Sequence, residues 1–246
     1  MEGTEIVSEA LWNIAGRQLS AAAATDYLIR DYPTLTLQHY DLGGSSPRDS
    51  ITMTDLGRAT LFGAFRGWKT AASLLRAAEA ADWPQDDPCW QLDAHPDATV
   101  EEWISRAEVR KARDLFSSLA GGHEGGWREA ATSKILHLKW PDFFPVIDGE
   151  LRTLYSDQAL TAEQRIPGSR RRRHATTTAY WMAVRQDLLQ PANLEADKST
   201  REGLRAAPDR QKASLLIQLT RLRLLDALAW AVATNRLSSD AATSDG

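Results

Sequence analysis

GGHEGGWREAATSKILHLKWPDFFPVIDGELRTLY, residues 121–155, is the stretch on which the fold turns. It opens with Gly121-Gly122-His123-Glu124-Gly125-Gly126, a run that breaks a helix because glycine loses more backbone freedom on ordering than any other residue. Residues 127–139 then carry a helical period, with Ala131, Ile135 and Leu138 on one stripe. Pro141 stops that helix, since its ring clashes with the preceding turn and its nitrogen has no proton to donate. The apolar run Phe143-Phe144-Pro145-Val146-Ile147 ends at Asp148, a natural N-cap for a helix over 149–155. The stretch therefore predicts a helical hairpin followed by a capped helix.

Helical period also dominates on both sides. Ile6, Ala10 and Ile14, with Val7 and Leu11, make an i, i+4 stripe, and 21–30 reads as a short helix before Pro33. Residues 34–50 are polar and punctuated by Gly43-Gly44 and Pro47, which predicts a loop with a short extended piece at 36–40. Thr54 and Asp55 cap a helix carrying Leu56, Ala59, Thr60 and Phe62, in which Asp55 and Arg58 would pair across one turn. An Ala/Leu helix over 70–81 ends at Trp83-Pro84, and 82–96, with three prolines, reads as irregular. Thr99-Val100-Glu101-Glu102 is a capping box that starts helices running to Leu119. Residues 166–174 form a basic loop, and helices are expected over 178–190 and 209–235. No alternating strand pair stands out.

Composition sets the outer bounds. With 246 residues, 43% of them hydrophobic and 25% charged, the chain can bury a substantial core. Nine Trp spread along its whole length predict core anchors, not one stacking platform. Cys89 is the only cysteine, which excludes an intrachain disulfide, a cysteine zinc site and a four-cysteine cluster, and points to a reducing cytoplasm. Residues 1–8 show no signal-peptide pattern, and no apolar run approaches the roughly 18 residues a membrane span needs, so no membrane association is expected. There is no Walker loop, Rossmann fingerprint, serine elbow or HExxH helix, and the five His are scattered. Neither a metal nor a cofactor is expected.

The charge distribution keeps nucleic acid in play. A net charge of −4 disfavours a globally basic coat, yet 127–190 holds ten Lys and Arg against seven Asp and Glu. A tight hairpin leaves backbone N–H groups free at the start of its second helix, and those groups with the helix dipole suit a phosphate. On that logic Gly122, His123, Gly125, Gly126 and Trp127 are candidate phosphate contacts. Arg170, Arg171, Arg172 and Arg173 would add affinity by releasing counterions from a nucleic-acid backbone. Asp148, a carboxylate about one helix downstream of the hairpin, would sit near the same anchored strand and is the candidate catalytic residue. Blander roles exist for each: a helix cap for Asp148, a plain connection, a solvated arginine loop. His137 reads as a partly buried, hydrogen-bonded histidine, and Tyr180-Trp181 as either a base platform or core.

Residues 121–155 resemble the helix-hairpin-helix signature of base-excision DNA glycosylases, in which a Leu-Pro-Gly-Val-Gly hairpin leads through a helix and a proline to a Val-Asp pair. Gly126 falls near the hairpin glycine, and Pro145-Val146-Ile147-Asp148 matches the Val-Asp pair. Trp127-Arg128 stand where Val-Gly would be, and Ala130 stands where bifunctional members carry a Schiff-base lysine. Lys134, one turn later, is the second catalytic candidate, against the blander role of a surface lysine. The resemblance thus implies the monofunctional chemistry, an aspartate that stabilises an oxocarbenium-like sugar and orients water, with lyase activity unexpected. Over most of the chain, residues 131–136 with Pro141, Pro145-Val146, Asp148, Asp55-Leu56-Gly57-Arg58 and 222–230 resemble an uncharacterised bacterial family. The expected fold is all-α: a glycosylase-like helical bundle with N- and C-terminal helices packed together. Its expected parts are an N-terminal lobe (1–98), a hairpin lobe with the basic loop (99–190), C-terminal helices (191–236) and a disordered tail (237–246). The expected partner is DNA, acted on by a monofunctional N-glycosylase or held by a non-catalytic helix-hairpin-helix module.

Overall fold

A computed structural model describes residues 9–44, 46–65, 67–84, 90–121, 127–166 and 175–237. Its first elements correct the expectation of helix around Ile14. β1 (Leu11–Ile14) and β2 (Arg17–Ser20) pair antiparallel, with Trp12 opposite Leu19 and Ile14 opposite Arg17. Ala15 and Gly16 take φ of 50° and 79°, the double positive φ of a tight hairpin turn whose twist matches its strands. An isolated hairpin is marginal in water, so its stability comes from elsewhere. Asn193 bonds both the N–H and the carbonyl of Asn13, Trp12 Nε1 donates to Thr200 Oγ1 at 3.0 Å, and the Ala15 N–H donates to Asp187 at 2.7 Å.

The remaining regular elements of the described chain are helices. α1 (Ala21–Arg30) is capped by Ser20, as a short helix before Pro33 should be. Where a loop with an extended piece was expected, Thr36–Asp41 forms a π-helical stretch. α2 (Met53–Leu61) starts in a capping box, but from Thr52, with Asp55 at its third position. After α3 (Trp68–Glu79), the predicted Thr99/Glu102 box opens α4 (Val100–Ile104). α5 (Ala107–Ala120) and α6 (Trp127–Lys139) pack against each other as the helical hairpin. α7 (Gly149–Leu154), α8 (Ser156–Glu163), α9 (Thr177–Leu189) and α10 (Pro191–Ala206) follow, and α10 packs on both α1 and β1. The single helix expected over 209–235 is two, α11 (Arg210–Leu216) and α12 (Arg221–Ala233). Arg201 of α10 donates to the carbonyls of Ile217 and Leu219 at 2.8 and 3.1 Å, satisfying backbone groups that the break leaves open.

Tryptophan anchors the core as expected. Trp90, Trp103, Trp140 and Trp181 gather around Phe143 and Phe144, with centroids 4.9 Å apart for Trp90–Trp140 and 5.3 Å for Phe144–Trp181. Trp140, Phe143, Phe144 and Tyr155 are therefore interior, and Trp181 is core, not a base platform. Among the described tryptophan side chains Trp68 is exposed, at 64%. No helix among the described residues is long and apolar enough to cross a membrane.

A buried polar cluster fixes the π-helical stretch. Asp55 and Arg58 do not pair across their turn. Arg58 instead donates to the carbonyls of His39, Tyr40 and Gly44. Asp55 meets Lys139 of α6 at 2.7 Å, with both side chains fully buried, and Lys139 also donates to Ser46 and Pro47. Burial pushes the Asp55 carboxyl up, but hydrogen bonds from Lys139, Ser46 and Thr52 outweigh it and hold it below its usual value. These contacts join α2 and the π-helical stretch to α6, and so bring Tyr40 and Phe62 beside the diagnostic segment.

A carboxylate-bearing aromatic cavity

After Pro141 the backbone of the diagnostic stretch has no ladder or helix to pair with, so side chains satisfy it. Ser133 of α6 accepts the Ile147 N–H at 3.1 Å, and Asp226 of α12 accepts the Val146 N–H at 2.9 Å. His137 Nδ1 donates to the Phe144 carbonyl at 2.7 Å, which fixes the tautomer because a carbonyl can only accept. Burial, reinforced by the Arg223 charge, holds His137 at about 3, so it is neutral and structural, the hydrogen-bonded role its sequence position predicts. Burial likewise pushes Asp226 up to about 7 against the pull of Arg223, and its Oδ1 has no partner among the described residues.

Asp148 follows directly and caps α7, its Oδ1 accepting the N–H groups of Glu150 and Leu151 at 3.1 Å each. The cap is real, but it uses one oxygen. Oδ2 lies 3.9 Å from Lys134 Nζ, and the Asp148 side chain keeps 18% of its surface because it stands in the wall of a cavity. That cavity, of about 230 Å³, is walled chiefly by Tyr27, Tyr32, Phe62, Asp148, Arg223 and Trp230. Its aromatic rings share the lining with Pro33, Thr36, Leu61 and Ala227. Lys134 is buried, contrary to the surface reading. It does not line the cavity but lies 5.1 Å from the Phe62 ring centre. Burial lowers its pKa, and Asp148 opposes that.

The far wall is electrostatically closed. Arg223 Nε donates to Asp41 at 2.7 Å and Nη2 to the Tyr32 hydroxyl at 2.6 Å, while that hydroxyl donates to Asp41 at 2.6 Å. Burial disfavours the Arg223 charge, yet Asp41 and the surrounding acidic groups hold it more firmly protonated than usual. The Tyr27 hydroxyl is buried without a partner among the described residues.

Of the residues singled out by sequence, the structure joins Asp148 and Lys134. Gly122, His123, Gly125, Gly126 and Arg170, Arg171, Arg172 and Arg173 lie outside the described residues, and Trp127 is described only as the first residue of α6. The ends of the hairpin are described. Gly121 caps α5 at φ 76°, and Arg128 Nε reaches back to the Leu119 carbonyl at 2.6 Å. Glu129 accepts from Arg152 of α7 and Thr177 of α9, tying both helices to the start of α6. Arg223, Asp226 and the lining aromatics were missed. Their signal was present: Arg223 and Asp226 interrupt the apolar α12 at i, i+3, and a charge inside an apolar helix needs a buried partner.

Fold and cavity together define a class, a mostly helical protein with one small β-hairpin and an acidic group in a partly aromatic cavity. The chain belongs to DUF6308, a family of unknown function whose pattern matches residues 20–233. That match bears out the expectation of an uncharacterised family over most of the chain. No curated protein and no solved structure matches it.

Proposed function

We propose that the protein binds DNA and removes a base as a monofunctional N-glycosylase-like hydrolase, with the aromatic cavity receiving the extruded nucleotide and Asp148 facing its sugar. The observation that carries this reading is that Asp148, while capping α7, also opens into the cavity. Chemistry on a base requires taking it out of the stack, and aromatic side chains hold a base by its faces. In the step, the C1′–N bond breaks and its electron pair leaves with the base. Asp148 stabilises the cationic C1′, and water adds there, passing a proton to the carboxylate. Lys134, 3.9 Å from the Asp148 carboxylate, places a positive charge behind it and takes no covalent part. Leu61, 56% exposed and part of the lining, is an apolar side chain suited to the gap a displaced base leaves in the duplex.

The two N–H bonds to Oδ1 favour the rival reading, a non-catalytic module in which Asp148 is only a cap. Asp148→Asn separates them, because the amide oxygen keeps the cap and the negative charge is lost. Base release from a panel of damaged and mismatched duplexes should fall by about 100-fold or more in the variant, with duplex affinity nearly unchanged. Duplex binding without base release by the wild type supports the module. No duplex affinity at low salt removes both.

A further inference from the structure

A second cavity, of about 380 Å³, lies between α4, α8 and α9 and has no part in the chemistry proposed above. It is large enough for a small ligand, and its lining mixes apolar side chains such as Met182 with Trp103, Gln186, Gln190, Arg165 and Arg185. Among the described residues no acidic side chain lines it.

The two arginines are the informative part. Arg185 projects from α9, its guanidinium carbon 5.4 Å from the centre of the buried Trp103 ring. Its Nη2 donates to the His95 carbonyl at 2.6 Å and, more weakly, to that of Ala94 at 3.4 Å. Its Nε is shut away from solvent and has no hydrogen-bond partner among the described residues. Burial holds the group below its usual pKa, and the acid that offsets this, Asp93, is already in an ion pair with Arg221. Arg165 adds a second guanidinium at the same cavity. Among the described residues neither arginine makes an ion pair. Carbonyl dipoles and a ring face temper a cation but do not neutralise it, and a desolvated charge without a counter-ion is costly.

We propose that this cavity binds a small organic anion, a phosphate or carboxylate group carried on an apolar body, with Arg185 as the anchor and Arg165 as the second cation. Guanidinium N–H groups suit both oxyanions, and the apolar lining takes the body of the ligand.

Calorimetric titration of the full chain with phenyl phosphate, benzoate and benzyl alcohol tests this. Saturable binding of either anion, with none of the neutral alcohol, is expected. A preference for phenyl phosphate assigns a phosphoester, and a preference for benzoate a carboxylate. Arg185→Gln should weaken binding by about tenfold or more, and Arg165→Gln by several-fold. Arg165 lies on the surface, so its variant keeps the test valid should Arg185→Gln fold poorly. Asp148→Asn should bind like the wild type, which separates this site from the nucleotide cavity. The proposal is overturned if neither anion saturates at millimolar concentration, if the alcohol binds equally well, or if both arginine variants bind like the wild type.

Discussion

Asp226 ties the diagnostic segment to α12, and its titration should be visible in the stability of the whole protein. Its carboxyl is pushed up to about 7 in the folded state. An unfolded aspartate titrates near 3.9, which leaves a gap of about three pH units, or about 4 kcal/mol. The folded state therefore binds the extra proton. The stabilisation is fully present below about pH 4 and is lost as the pH rises through about 7. Asp226→Asn keeps an oxygen for the Val146 N–H and removes the ionisation. Urea unfolding of both proteins from pH 4 to pH 8 should show the variant gaining on the wild type by about 4 kcal/mol across that range, a large share of an ordinary domain's stability. Asp187, pushed up to about 6 by burial, titrates in the same direction in both proteins and cancels in the difference. A difference that stays flat with pH would refute the buried, proton-holding role given to Asp226.

Asp55→Ala strands the Lys139 ammonium in the interior and should cost about 3–5 kcal/mol in urea unfolding, whereas Asp55→Ala/Lys139→Met should recover all but roughly 1 kcal/mol, the part owed to the lost cap. Lys134 stands outside the cavity lining, so borohydride treatment of the protein with abasic-site DNA should trap no covalent complex. A trapped complex lost in Lys134→Ala would make it a nucleophile.

What the sequence disclosed was local. The Thr99/Glu102 box, the helix over 21–30, the stop at Pro141 and the cap at Asp148 each depend on a few neighbouring residues, and each stands in the structure. The hairpin at 11–20 did not read as strand because Asn193, Thr200 and Asp187, more than 170 residues away in sequence, hold it. The π-helical stretch depends in the same way on Arg58, whose predicted partner Asp55 is taken by Lys139. The cavity is harder still to read, since Tyr27, Phe62, Asp148 and Arg223 come from four separate segments and share no spacing. Only Arg223 and Asp226, inside the apolar run of α12, announced that something polar lay beneath that surface.

If the Asp148 carboxylate faces a developing sugar cation, a charged mimic of that cation should engage it. Duplexes carrying either a pyrrolidine nucleotide, cationic at neutral pH, or the isosteric uncharged tetrahydrofuran should be titrated into wild type and Asp148→Asn. The wild type should prefer the cation by about 100-fold or more, as transition-state mimics are preferred, and the variant should lose that preference while still binding tetrahydrofuran DNA. Equal affinity of the wild type for both duplexes would contradict the claim and leave Asp148 as the cap of α7.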